Sequence, residues 1–516
     1  MRVAVIGSGP SGVATATACL DRGWTTVLFD GGRALHPRLE EIRVRMSRQR
    51  PERWAASDVA ALSDRHEAGS GLGTKRLFGD AFATTTAPVL EIERDPGVRG
   101  GPSLAVGGLS NVWGATMLPY AKRDAAGWED VFDELGPEYD RVASYVPVAA
   151  QHDALAEIYP LPRPCGPTLL RSEQMNEVLS RSRTHGAALR SRGVLVGAAR
   201  LAVRSQSGGM DAGCVYCGRC LHGCVYRHIW SSSHTVDTLR RHPGFEHRPG
   251  SIVELVVERS SSVEVRLGSD AADRVPERFD RVFLAAGPIS SFAILARSGL
   301  SETKARMLDS ATFFLPMVWA GPPPRTAPTM TLSECFVRIE GTNGMPAAQL
   351  QLYPYNDSLV ERAAALHPRL VGALRPLVGS AMRSLVIGIG YLHSDVSDAI
   401  ELSWRSKTVA MAPDLDPASG DAFRSLMRRL PQDLRPLRLV PLTRLAVSEG
   451  VGQGYHFGGT YPMGSPGGSD RLGRPHGCRR VHLTDASVFP SIPAGAITFT
   501  AMANASRIVR SIEEGS

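Results

Sequence analysis

Apolar and polar positions alternate differently in different parts of the chain. "RVAVIG" opens it as a short run rich in β-branched residues, the composition of a strand. "GSGPSG" interrupts that run. "VATATACLDRG" then reads as a helix of small residues ended by Gly23, and "TTVLFD" reads as a second strand. From about residue 300 to 450 the pattern changes. "TMTLSECFVRIE", "AAQLQLYPY", "SLVIGIGYLHS" and "AIELSW" alternate apolar and polar positions, which predicts strands of an antiparallel sheet. "DAFRSLMRRLPQDLRPLRL" reads as a helix broken at Pro431. Near the C-terminus, Arg480–Val509 reads as a strand, a Pro-bounded turn and a helix from about Ile497. A βαβ opening followed by an antiparallel region predicts the α/β class.

The chain has 516 residues, enough for two to four domain-sized units or one large composite fold. Its formal charge is +7 and its pI about 9.1, yet only Lys75, Lys122, Lys304 and Lys407 are lysines. The arginines are scattered and no basic arm interleaved with aromatics occurs. The charge therefore reads as an arginine-rich surface and not as a nucleic-acid footprint. No run of about 18 apolar residues is present, so no membrane span is expected. The first residues enter a strand at once, without an apolar leader or cleavage site. The expected address is the cytoplasm, where thiols stay reduced.

The glycine turn has a chemical reading. In Gly7-x-Gly9-x-x-Gly12, Gly7 permits the tight turn, Gly9 admits a pyrophosphate to the backbone, and Gly12 lets helix and strand pack closely. The helix N-terminus then offers free N–H groups to phosphate. Asp30 closes the second strand 30 − 12 = 18 positions after the last glycine, where a ribose hydroxyl would be bound. This unit predicts a dinucleotide site and leaves NAD and FAD open. Farther on, His456 stands beside a glycine turn in "YHFGGTYPMGS". "TDAS" feeds a helix that can present further backbone amides.

Cys214, Cys217, Cys220 and Cys224 are spaced C-x2-C-x2-C-x3-C, the ferredoxin spacing for iron–sulfur ligation. Val225 stands where a proline usually follows, and no second cysteine run exists. Either three of these cysteines hold a three-iron cluster, or Cys165, Cys335 or Cys478 completes a four-iron one. The competing reading is a cysteine- and glycine-rich loop without metal. Zinc fits less well, because structural zinc sites usually pair two separated elements.

Four segments in order are "GSGPSG", "VGGLSNVWGA" from Val106, "VFLAAGPISSFAILARSG" from Val282, and the C-terminal pair. Together they resemble the glucose–methanol–choline (GMC) family of flavoprotein oxidoreductases, and "GGxSxxW" is similar to its bacterial, pyranose-oxidase-like side. The resemblance implies a Rossmann-type FAD-binding domain interleaved with an antiparallel-sheet substrate domain. The expected boundaries are 1–300, with an inserted cysteine-rich loop at 210–230, then 301–450 for the substrate domain, and 451–516 returning to the FAD domain.

The resemblance also assigns residues. It implies FAD contacts at Gly7, Gly9, Gly12, Asp30, Gly107, Gly108, Ser110, Asn111, Val253, Gly287, Asp485 and Ala486. Val112 occupies the position where some relatives carry a flavin-linked histidine, so non-covalent FAD is expected. The implied reaction is oxidation of an alcohol: His456 takes the hydroxyl proton and a hydride passes to the flavin. The expected substrate is a secondary hydroxyl of a sugar, cyclitol or specialised-metabolite intermediate. The acceptor is oxygen, a quinone or a redox protein, with a dehydrogenase favoured slightly over an oxidase. The family's second histidine or asparagine should fall between Ala494 and Ile497, a window that reads "AGAI". His393 and Tyr391 are candidates to replace it. Its absence also motivates two alternatives, a flavin-dependent isomerase and a non-catalytic electron-carrying flavoprotein.

Overall fold

The β-branched runs become the centre of a five-stranded parallel sheet. Arg2–Ile6 lies between Thr25–Asp30 and Arg281–Leu284, with Phe245–Pro249 and Val481–Leu483 outside them. The structure is a computed structural model describing residues 1–513 except 64–77, 87–89, 207, 269–275, 326–329, 343, 357–381 and 406. Between the first two strands runs the helix Pro10–Asp21, with Pro10 at its first position and Gly9 at its N-cap. Its small residues allow the C-terminal helix Thr498–Arg510 to pack against it. Val3, Val5, Ala16, Leu28, Phe283 and Val509 close one side of this sheet. The two ends of the chain thus share one core.

A larger antiparallel sheet stands opposite. Its strands run Leu439–Pro441, Thr312–Trp319, Leu385–Tyr391, Ala348–Pro354, Cys335–Ile339 and Val194–Ala198, with Val447–Ser448 also pairing to Thr312–Trp319. Strand alternation gives it two different faces. Leu350, Leu352 and Val386 pack with Leu426, Leu430 and Leu434 of a helix and with Met175 and Val178 of another. Gln351, Tyr353, Ile389 and Tyr391 face a cavity.

Two expectations require correction. The "AIELSW" strand, Ala399–Arg405, joins a separate five-stranded sheet with Lys304–Asp309, Thr408–Asp414, Phe457–Gly458 and Glu91–Arg94. Alternation reports a half-buried strand, but it does not say which partner it pairs with. The break at Pro431 does not occur either: one helix spans Pro417–Leu434. Proline removes a hydrogen bond and disfavours a helix interior by about 3 kcal/mol. Here Pro431 faces solvent, while Leu426, Met427, Leu430 and Leu434 are buried against the sheet. Burying even two such side chains offsets that penalty, at about 1.5–3 kcal/mol each.

A strand from the first part of the chain, Val194–Ala198, pairs with Cys335–Ile339 in the antiparallel sheet. Among the described residues no helix is long and apolar enough to cross a membrane.

Candidate active site

The two sheets enclose a cavity of about 400 Å³. Part of its wall is built from the N-terminal turn. Gly7 has φ +105°, and its amide donates to the Phe29 carbonyl at 2.8 Å. A Cβ on Gly12 would stand 1.8 Å from the Gly7 carbonyl oxygen, so only glycine allows the turn to fold onto the helix. Asp30 is buried; Oδ1 accepts from the Gly32 amide at 2.9 Å and Oδ2 pairs with His247 Nε2 at 3.0 Å. The carboxylate is thereby held in place on the cavity wall.

Asp485 is a clamp. Its Oδ2 accepts from the Gly287 amide (2.9 Å) and the Ser291 hydroxyl (2.6 Å), and its Oδ1 accepts from the Ser487 amide (2.9 Å). Burial pushes its carboxyl up from the ordinary value, while these hydrogen bonds pull the other way. The helix Pro288–Arg297 and the turn Ala486–Val488 are thus tied to one side chain.

The "GGLSN" turn is locked by hydroxyl groups. The Ser110 hydroxyl donates to the Gly107 carbonyl at 2.6 Å and lies 3.0 Å from Ser232 Oγ. The Ser232 hydroxyl reaches both the Ser8 and Gly107 carbonyls at 2.9 Å. Asn111 donates to the Val106 and Gly108 carbonyls and accepts from the Ser231 hydroxyl. The serines of "WSSSHT", which belong to none of the recognised motifs, therefore fasten this turn to the N-terminal loop.

His456 is on the wall of the same cavity, at the junction of two C-terminal motifs. Phe457–Gly458 pairs with Lys304–Asp309, and the Gly459 amide donates to the Ala486 carbonyl at 2.8 Å. The segment is held from both sides. Tyr455 adopts φ +55°, an uncommon conformation for a bulky residue, and this kink turns His456 toward the cavity. The imidazole lies 4.7 Å from the Tyr391 ring, centroid to centroid. Burial lowers its pKa to about 4, so the ring is neutral at neutral pH. Nδ1 is buried without a partner, leaving Nε2 as the nitrogen open to the cavity.

Gly7, Gly9, Asp30, Gly108, Ser110, Val253, Gly287, Asp485, Ala486 and His456 all line this one cavity, as does Val112. Gly12, Gly107 and Asn111 stand behind the wall and shape it. Of the two replacement candidates, Tyr391 lines the cavity. His393 does not: its Nδ1 accepts from the Asp395 amide at 3.2 Å and caps a short turn. Asn504 is fully buried in the last helix and accepts from Arg507. Sequence reasoning missed Thr312, Gln351, Tyr353, Glu449 and Gln453 on the cavity wall. The Gln349-x-Gln351-x-Tyr353 alternation was the available signal, a polar row within an otherwise buried strand.

The four clustered cysteines are half-buried, and all eight cysteines of the chain are free thiols. Burial pushes Cys214 and Cys217 up to about 12, and their neighbouring thiols push further in the same direction. The Tyr216 and Arg219 amides donate to Cys214 and Cys217, and the His228 amide donates to Cys224 Sγ at 3.2 Å. Cys335 is buried in a strand, Cys165 is exposed, and Cys478 lies beside Glu258. None of these three contributes to the electrostatics of the run. Among the described residues no three His, Cys, Asp or Glu side chains are grouped to hold a single metal ion.

The parallel sheet with its glycine turn on the cavity wall is an arrangement suited to a dinucleotide cofactor. A family model described as GMC oxidoreductase matches residues 405–505. Pyridoxine 4-oxidase from Mesorbium loti has a similar fold, with TM-score 0.57 and 15% identity, over 99% of this chain and 98% of that one. No curated protein matches the chain. The family match over residues 405–505 and the shared fold support a GMC-family oxidoreductase acting on CH–OH groups, a family whose members bind FAD.

Proposed function

We propose that this protein oxidises a secondary hydroxyl of a small polyol, such as a sugar or cyclitol, with non-covalently bound FAD and His456 as the base. The observation that carries the reading is His456 itself, a neutral imidazole on the wall of the cavity that the dinucleotide-binding loops also line. Glycine loops at Gly7–Gly9 and Gly107–Gly108, the Asp30 carboxylate and the turns clamped by Asp485 suit an ADP moiety and pyrophosphate. Glu254 and Arg297 pair beside Val253, so that end of the cavity carries balanced charge. Val112, at the cavity wall, offers no nucleophile for a covalent flavin link.

Bound FAD would supply the hydride acceptor. His456 Nε2 accepts the hydroxyl proton as the alcohol becomes a carbonyl, and its burial keeps the lone pair free. Thr312, Gln351, Tyr353, Tyr391 and Gln453 add hydrogen-bonding groups to the cavity wall. A wall of that kind suits a polyhydroxylated substrate better than an apolar alcohol. The test is anaerobic bleaching of the bound flavin by a panel of polyols. Persistent bleaching supports oxidation. Turnover without net reduction supports the isomerase reading, and unchanged reduction in His456→Ala removes the base assignment.

We also propose, on spacing, an iron–sulfur cluster at Cys214, Cys217, Cys220 and Cys224; against it, no three such side chains are grouped to hold a metal ion among the described residues, which favours the loop without metal. The supporting observation is the set of backbone amides aimed at three of the sulfurs, a pattern suited to thiolate charge. Iron and acid-labile sulfide assayed on anaerobically purified protein decide the matter: absence of both removes the cluster and with it the preference for a dehydrogenase.

A further inference from the structure

The window where the family places its second hydrogen-bonding residue carries no such side chain, and the structure shows what fills that space. A Cβ built on Gly495 would stand 2.7 Å from Gln349 Oε1 and 3.7 Å from its Nε2. Gln349 comes from the antiparallel sheet, more than a hundred residues away in sequence. Its side chain occupies the volume that a larger residue at 495 would need.

We propose that the Gln349 carboxamide is the second hydrogen-bonding group of the active site, delivered from the substrate-domain strand in place of a side chain at Gly495. Three independent observations converge on it. Gln349 is 2% exposed, and its Nε2 is buried with no hydrogen-bond partner, a donor left available for a ligand. In the sheet it lies directly opposite Tyr391, whose ring is 4.7 Å from that of His456. Of its strand face, Gln351 and Tyr353 are on the cavity wall, while Gln349 itself stands outside the lining and adjoins it through its cross-strand neighbour Tyr391.

Its other cross-strand neighbour, Arg338, does not claim the amide. That guanidinium is saturated by Asp124 (2.8 and 3.1 Å), the Tyr159 hydroxyl and Glu340. Rotation of the terminal amide exchanges donor and acceptor without moving the chain, so either end can be offered. The role follows: Gln349 fixes the substrate hydroxyl oxygen while His456 removes its proton.

This inference rests on the alcohol-oxidation reading, so the experiment has two arms. The first needs no substrate. Thermal unfolding is measured for the FAD-loaded wild type, Gly495→Asn, Gln349→Ala and the double variant. The Gly495→Asn side chain should clash with Gln349 and lower Tm, and shortening Gln349 should relieve most of that loss. Additive effects would show that the two residues do not compete for one space and would overturn the proposal, whatever the enzyme oxidises.

The second arm follows anaerobic flavin reduction at saturating polyol. Gln349→Leu, nearly isosteric, should retain flavin and slow reduction by about 10²-fold, the effect of losing one transition-state hydrogen bond. The Gln349→Ala/Gly495→Asn swap should recover to within about tenfold of wild type, since an amide returns to the site from the other side. A Gln349→Leu variant reduced at the wild-type rate overturns the proposal. So does a swap no faster than Gln349→Ala alone. If the thermal coupling is present but no alcohol reduces even the wild type, the oxidation reading fails and takes this role with it.

Discussion

The burial of His456 determines how flavin reduction should depend on pH. Imidazole ordinarily titrates near 6.5, and here burial lowers it to about 4. The difference of about 2.5 pKa units corresponds to about 3 kcal/mol in favour of the neutral ring. At pH 7 only about one molecule in a thousand carries the proton. The base is therefore ready across the neutral range. The second-order rate of anaerobic flavin reduction should be flat above about pH 5 and fall tenfold per unit below about pH 4. Stopped-flow loss of the oxidised-flavin absorbance measures it. His456→Asn keeps a polar side chain but no base, and should lower the rate by about 10²–10⁴-fold. A break near the ordinary histidine value that vanishes in His456→Asn would show a solvated imidazole and refute the argument from burial. A His456→Asn rate within about threefold of wild type would remove the base altogether.

The same burial has a stability consequence. Between the unfolded value of 6.5 and the folded value of about 4 the unfolded chain binds the proton first, so stability should fall as pH drops through that window. His234 and His482, each lowered to about 3 chiefly by burial, should steepen the loss, and denaturant midpoints from pH 7 to 4 measure it. Asp309 works in the other direction. Burial raises it to about 7 and leaves Oδ1 unpartnered, so its penalty grows as pH rises from 3.8 through 7. Asp309→Asn should therefore be neutral or stabilising at pH 8 relative to pH 4; the same loss at both values would contradict this. Asp124→Ala strips a bidentate partner from Arg338, which is 2% exposed, and should destabilise by about 3–5 kcal/mol in urea unfolding. Gly12→Val forces a side chain into the Gly7 carbonyl, so the purified protein should lose its flavin colour while wild type retains it.

Much of the proposed cofactor site was legible because its requirements are local. Gly7, Gly9 and Gly12 answer to turn geometry within six residues, and Asp30 to the length of one helix and strand. His456 and Asp485 could be named from their motifs. Their pairing could not, because it depends on Gly459 meeting Ala486 across an intervening stretch of chain. The Pro431 break failed because a local propensity was outweighed by the apolar face beneath it. Gln349 escaped notice because a buried amide in a strand looks the same in sequence whether or not it meets a ligand.

The amino-acid sequence by itself determined the features set by backbone sterics and short-range spacing: the parallel βαβ opening, the tight glycine turn, the alternating strands and the histidine beside its glycine turn. Only the tertiary structure decided which distant groups share one cavity. Strand pairing between residues far apart brings Tyr391 to His456 and Gln349 over Gly495. No periodicity along the chain encodes which polar side chain will enter a space that a glycine elsewhere has left open.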